Sequence, residues 1–467
     1  MMYNIKVFIH ERNIRMKKTL LRSAALLLAC LLLLCAVSCG KQGKTLMTLK
    51  KDGVKVTLSV NLYQLMLTRM KGDLTVYGNQ LNGVNASQDA YWSYQDKFDG
   101  TNLQTIDEYY CNLILDNCRT YLATLYLFEK EGLSLSAADE EEIEKRLEEL
   151  VNTDGDGSKT KLNAVLAAYG VNYDILREAY TMEKKLDVLQ KHLYGENASK
   201  VGDVMKTEFM NENYVHFRQI FLAGYAYVYE TDKNDDVIYY LTEGENKGHI
   251  AYDTENGVTG KNGDGSVIVD KNGDAVYFVN DGSFTKIAYN PTEGEPVHAT
   301  DENGVYKTTT LTEDELKALA ERAQKLYDEV KDDSAAEFEA AAQKESDDTT
   351  DKSEYSDGIY LQKDLDYAAS SGTAHLGEIV TKLDTMEVGE VAMVKSTSGY
   401  HIIMKYANTE KAYEKEANET WFANFNTNLI TSLFLDECEK LYADIKIDEA
   451  VLAEAPTMKE VNINYYY

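Results

Sequence analysis

Residues 376–406 read LGEIVTKLDTMEVGEVAMVKSTSGYHIIMKY. The stretch opens with the period of an amphipathic helix and passes Val388-Gly389-Glu390-Val391. It then runs through a strand to Gly399-Tyr400-His401-Ile402-Ile403. Working upstream, residues 347–356 are a loop rich in Asp and Ser, preceded by a helix over 335–344 and another from Thr312 to Val330. Further back, residues 215–223, VHFRQIFLA, interrupt a helical pattern and predict a second strand.

Before that strand the chain reads as helical. Residues 46–66, LMTLKKDGVKVTLSVNLYQLM, begin as a hairpin around Lys51-Asp52-Gly53 and run into an amphipathic helix. Ser136-Ala137-Ala138-Asp139 is a capping-box variant opening an acidic helix. A short helix over 162–169 stops at Gly170, and Asn172 caps a longer one whose Leu186, Leu189 and Leu193 form one stripe. Near the C-terminus, Trp421, Phe425, Leu429 and Leu433 recur every four residues, which predicts one long helix to about Ile445.

Residues 224–311 differ from both flanks. They are rich in Gly, Asp, Asn and Tyr with β-branched alternation, and carry three similar turns at Asp253–Gly257, Asp270–Gly273 and Asp301–Gly304. Asn-Gly between alternating apolar residues signals a hairpin, so this stretch predicts a β-rich insertion. Asp270-Lys-Asn272-Gly-Asp274 has the look of a calcium loop, but Ala275 stands where its sharp turn needs Gly. No metal site is expected there or elsewhere: there is no CxxC motif and no His/Cys cluster.

Residues 16–40, MKKTLLRSAALLLACLLLLCAVSCG, have a basic start, an apolar run over 24–37 and a small-residue approach to Cys39. This predicts a bacterial lipoprotein signal over 1–38 with translation starting at Met16, Cys39 as the lipidated residue and 39–45 as a polar tether. Fourteen apolar residues fall short of the roughly 17–25 of a transmembrane helix. Cys30 also follows Leu-Leu-Ala, but processing there would leave four leucines on the mature chain. The expected location is the outer face of the cytoplasmic membrane.

The chain has 467 residues, 44% of them hydrophobic, and a net charge of −30, enough for two or three globular domains. Removing 1–38 takes away six basic residues and one acid, which leaves about −35. So acidic a surface repels nucleic acid, which is excluded as a partner. Cys111 and Cys118 lie about 10.5 Å apart along a helix axis, too far for a disulfide, and read as core residues.

The pattern ending in GYHII resembles the C-terminal half of a parvulin-type peptidyl-prolyl isomerase domain. The strand at 215–222 and the helix and acidic loop from Phe338-Glu339 to Ser346-Asp347-Asp348 resemble its N-terminal half. The opening hairpin and helix, and AVLAAYGVNYDILREAYTMEKKLDVLQ at 164–190, resemble the chaperone domain of PrsA-like and SurA-like extracytoplasmic foldases. The resemblance implies an α+β protein: a helical chaperone domain over 46–213 completed by 408–467, and a parvulin-like domain over 214–407 carrying the insertion 224–311.

It also implies an activity. Rotation about an X–Pro bond crosses a barrier of about 18–20 kcal/mol, breaks no bond and needs no cofactor. A parvulin site offers two histidines and an Asp or Cys as a polar floor, with Met and Phe lining the pocket. Residue by residue, His401 matches the second histidine and Asp348 the acidic position, with Asp347 one residue off. Gln219 stands in place of the first histidine, Ile379 in place of the phenylalanine, and the methionine position falls near His375. Tyr400 completes the expected substrate-binding set. Gln can donate and accept as a neutral imidazole does. The partners implied are unfolded or newly secreted polypeptides and the membrane through the lipid, with a homodimer left open. The rival reading is a non-catalytic holdase lipoprotein with a degenerate parvulin domain.

Overall fold

The computed structural model describes residues 43–467 apart from 79, 82, 99, 349–357, 366 and 368–372. The expected signal, Cys39 and the tether as far as residue 42 lie outside the described residues. The chain forms two units: one joins the chain up to Asn213 with Glu410–Tyr467, the other is Tyr214–Thr409.

The first unit opens with strands β1 (Thr45–Lys51) and β2 (Val54–Ser59), paired antiparallel about Asp52 and Gly53. Both turn residues have positive φ, at 50° and 85°, as a tight two-residue hairpin demands. Ser59 caps α1 (Val60–Tyr77) by accepting from the Leu62 amide. Then come α2 (Ile106–Lys130), α3 (Ala137–Thr153), α4 (Lys159–Leu166), α5 (Tyr173–Tyr194) and α6 (Asp203–Asn213). The boundaries follow local chemistry. Thr105 with Glu108, and Ser136 with Asp139, are reciprocal capping boxes. A 3-10 turn extends α4 to Gly170, whose φ of 73° ends it, and the Asn172 side chain accepts from the Ile175 amide at the start of α5. The core is one apolar cluster that includes Leu62, Leu122, Tyr126, Leu176 and Leu189.

The C-terminal segment departs from the single long helix expected. A separate turn, Glu419–Phe422, precedes the helix Phe425–Glu439, and the strand Ile445–Ile447 pairs antiparallel with β1, which becomes the middle of a three-stranded sheet. A three-residue strand is too short for its alternation to show against a helical background. The last residues are tied down as well: Asn464 Nδ2 donates to Thr68 Oγ1 at 3.2 Å and the Tyr467 hydroxyl to Asp154 at 2.6 Å.

In the second unit, β3 (Tyr214–Ala223) leads into the insertion, which β4 (Tyr225–Tyr227) and β5 (Thr308–Thr310) close by pairing with each other. Within it the carboxylates of Asp253, Asp270 and Asp301 each accept backbone amides from the residues that follow, and Asp232 builds a fourth such turn. Asp270 receives Asn272 and Asp274 amides at 2.8 and 3.0 Å, so the segment resembling a calcium loop is a hairpin turn.

After the insertion come α7 (Glu313–Val330), α8 (Ala335–Glu345), β6 (Ile359–Gln362), α9 (Ala374–Asp384), β7 (Val391–Lys395) and β8 (Gly399–Tyr406). The sheet is fully antiparallel in the order β6-β3-β8-β7. Side chains alternate across it. Ile220, Leu222, Ile402 and Met404 pack on Leu319, Ala323, Phe338 and Ala342 of α7 and α8. The opposite face holds Gln219, Phe221 and His401, and α9 runs beside it. Among the described residues no helix is long and apolar enough to cross a membrane.

Candidate active site

The register of β3 and β8 sets the site. His401 stands opposite Phe221 and Ile403 opposite Gln219, so Gln219 and His401 are diagonal neighbours on one face, within reach of long side chains. This pairing needs a glycine at the start of β8. Gly399 has φ of 147°, and a Cβ there would lie 2.1 Å from the Leu222 carbonyl oxygen.

The hydrogen bonds form a directed chain. Ser396 Oγ accepts from the Ser398 amide at 3.1 Å and lies 2.9 Å from His401 Nε2. His401 Nδ1 is 3.0 Å from Gln219 Oε1. An amide oxygen only accepts, so Nδ1 carries the proton, and Nε2 accepts from the Ser396 hydroxyl. The tautomer follows from this network. His401 is 2% exposed, and its burial, helped by His375, drives its pKa down to about 3. The imidazole is therefore neutral throughout the physiological range.

Two rings stack on it: Phe221 at 4.8 Å and His375 at 5.5 Å, the latter within 8° of parallel. Burial also lowers the pKa of His375, while the Asp348 charge pulls it upward. The acidic pair after α8 divides. Asp347 is bound into the fold, its amide donating to the Phe221 carbonyl at 2.7 Å and its carboxylate accepting from the Ala223 amide at 3.0 Å. Asp348 is the one whose charge reaches His375.

Gln219, His401, His375 and Asp348 are thus brought together. Two expected substrate contacts are corrected. Tyr400 lies on the opposite face, packed on the α7–α8 core, because an even-numbered residue of β8 points away from His401. Ile379 has no exposed surface, so it offers none to a substrate. Two participants escaped the sequence reading, Ser396 and Phe221. Phe221 follows Gln219 by the two residues that keep a strand side chain on one face, a signal present in the sequence. Ser396 gave none, since only the β7–β8 turn carries it back to His401. Among the described residues no group of three or more His, Cys, Asp or Glu side chains is placed to hold a metal.

Chemically, the site is a neutral donor–acceptor floor flanked by aromatic rings. The Nε2 hydrogens of Gln219 and the ring N–H of His375 are the donors that the chain from Ser398 to Gln219 leaves available.

Residues 305–407 match the rotamase family, the PPIC-type PPIase domain. No curated protein sequence matches this chain. Among solved structures, PrsA from Bacillus subtilis is 15% identical, with 76% of this chain and 90% of that one covered and a TM-score of 0.18. The foldase protein PrsA from Streptococcus pneumoniae str. Canada MDR_19A is 12% identical, covering 76% and 97%, also at a TM-score of 0.18. The peptidylprolyl isomerase PrsA from Bacillus anthracis is 14% identical, covering 72% and 94%, again at 0.18. The family match starts at 305 and leaves out β3, which the insertion separates from the rest of its own sheet. Through residues 305–407 the chain carries a domain of the PPIC-type peptidyl-prolyl isomerase, or parvulin, family.

Proposed function

We propose that this protein is a membrane-anchored foldase whose parvulin domain interconverts the cis and trans forms of X–Pro bonds in unfolded secreted polypeptides. The helical unit would hold the client, and a lipid on Cys39 would keep both units at the outer face of the cytoplasmic membrane. The observation that carries the reading is the neutral, hydrogen-bonded His401–Gln219 pair on the face of the sheet beside α9.

The chemistry follows from what rotation does to an amide. Twisting breaks resonance and returns a lone pair to the prolyl nitrogen, at a cost of about 18–20 kcal/mol. A donor aimed at that nitrogen binds the twisted form better than either planar one, and each 1.36 kcal/mol of that preference is about tenfold in rate. His401 gives its one proton to Gln219 and takes another from Ser396, so it has none to offer. Its role is to fix the Gln219 amide, leaving the Nε2 hydrogens of Gln219 to act as donors. Neutrality matters here, because a charged imidazolium would hold water in the groove.

The test is a peptide isomerisation assay on residues 40–467 beside His401→Ala and Gln219→Leu. Acceleration that both substitutions remove supports the isomerase. No acceleration, with aggregation of an unfolded client still suppressed, gives the holdase. The complete burial of Ile379 favours that second reading. Anchoring is tested separately: Cys39→Ser should move the protein from the membrane to the soluble fraction.

A further inference from the structure

The insertion 224–311 begins three residues beyond Phe221, where β3 ends, and its first aromatic residues continue the row of rings begun there. Phe221, stacked on His401, is 6.4 Å from Tyr225, which is 5.5 Å from Tyr227. Tyr227 stacks on His298 at 4.4 Å, and His298 touches both Tyr229 at 5.1 Å and Tyr306 at 4.7 Å. Three separate segments of the insertion, held to one another by the Tyr229–His298 and Thr300–Tyr306 bridges, thus converge on one aromatic row that starts at His401.

This row is not the core of the insertion. The buried hydrophobic residues there are Ala251, Tyr252, Val276 and Ala288, whereas Tyr225, Tyr227 and His298 are half-buried, Tyr229 is 36% exposed and Tyr306 56% exposed. Rings held in contact with each other and left open on one side offer a rigid apolar surface with little entropy to lose on binding.

From this we infer that the insertion lengthens the isomerase groove into an aromatic track, whose occupant is the extended, aromatic-bearing segment of the client polypeptide flanking its proline. The inference rests on the isomerase reading above for the position of that proline. Continuity chooses the occupant: Phe221 is shared, stacking on His401 on one side and lying 6.4 Å from Tyr225 on the other, so a chain whose proline lies over Gln219 meets the row at its first ring. From His401 to His298 the row is at most ~21 Å long, room for roughly six residues in extended form. Asp347 and Asp348 beside Tyr225 disfavour acidic segments.

The experiment uses residues 40–467 and three fluorescent peptides: a four-residue Ala-Ala-Pro-Ala, a ten-residue peptide with Tyr and Phe on both sides of one proline, and the same ten-residue peptide with Ser for each aromatic. Anisotropy gives Kd for each, whatever the catalytic outcome. The aromatic peptide should bind about tenfold or more tighter than the Ser peptide. The double variant Tyr229→Ser/Tyr306→Ser, with both changes at exposed positions, should close most of that gap and leave the short peptide unaffected. Equal binding of the two long peptides, or a gap that the double variant preserves, overturns the track. Isomerisation of the short peptide is measured alongside: activity without a gap removes the track alone, and a gap without activity removes the isomerase alone.

Discussion

Oε1 of Gln219 lies 3.0 Å from Nδ1 of His401, although 182 residues of chain separate them. The contact exists because β3 and β8 are neighbours in a register that puts both side chains on one face. A histidine at 219 would compete for the same proton. A glutamine takes it in one direction only, which fixes His401 as the Nδ1–H tautomer.

Gln219→Glu tests that direction. A carboxylate against Nδ1 favours the imidazolium, so the His401 pKa should rise from about 3 toward the range near neutrality. His401 ring signals followed by NMR against pH should titrate between pH 5 and 8 in the variant and stay flat in the parent.

Ser396→Ala removes the proton offered to Nε2 and leaves a buried acceptor without a partner. Stability of the isomerase unit should fall by about 1–3 kcal/mol in denaturant unfolding, and Ser396→Thr, which keeps the hydroxyl, should restore most of it.

Acid should weaken the isomerase unit through His401. Its folded pKa of about 3 lies below the unfolded value near 6.5, so the unfolded chain binds more protons between those limits. Stability from this group is complete above about pH 6.5 and is lost as pH falls toward 3, by an amount on the order of a few kcal/mol. His401→Phe should flatten that slope in thermal melts from pH 4 to 7.

The helical unit should respond in the opposite sense. Glu183 is buried, and desolvation raises its pKa to about 8 despite the Arg146 guanidinium 2.7 Å away. Its folded form holds a proton that the unfolded chain releases near pH 4.5, so stability falls as pH rises from about 4.5 to 8. Glu183→Gln should raise the melting temperature at pH 9 more than at pH 5.

Arg218 is wholly buried, with Nε and Nη2 bonded to the Glu339 carboxylate at 2.5 and 3.2 Å. Glu339→Ala should therefore destabilise the unit by about 3–5 kcal/mol, and adding Arg218→Met should recover part of it. Chemical denaturation of the single and double variants checks both figures.

Much of this architecture was legible in periodicity and caps. The hairpin at Asp52-Gly53, the Ser136 capping box, the stop at Gly170 and the strand at 215–223 all rest on local chemistry, and local chemistry can be read from one chain. Long-range closure could not be read in that way. The strand Ile445–Ile447 exists because β1 offers it an edge, and nothing near residue 445 announces a partner 400 residues away. At the site, Gln219, His401 and Asp348 came from spacing within a family pattern. Tyr400 faces α7 and α8 because alternation along the GYHII strand turns every second residue away from His401. Ser396 depends on the fold of a turn, which no residue-by-residue transfer contains.

Whether the neutral His401–Gln219 pair supports isomerisation is read from the cis/trans exchange rate of a proline tetrapeptide, measured by NMR with residues 40–467 from pH 5 to 8. Catalysed exchange should be level across this range, because His401 stays neutral, and Gln219→Leu should lower it at least tenfold, about 1.4 kcal/mol. Exchange no faster than in buffer, or catalysis that titrates with a pKa near 6.5, would contradict that role.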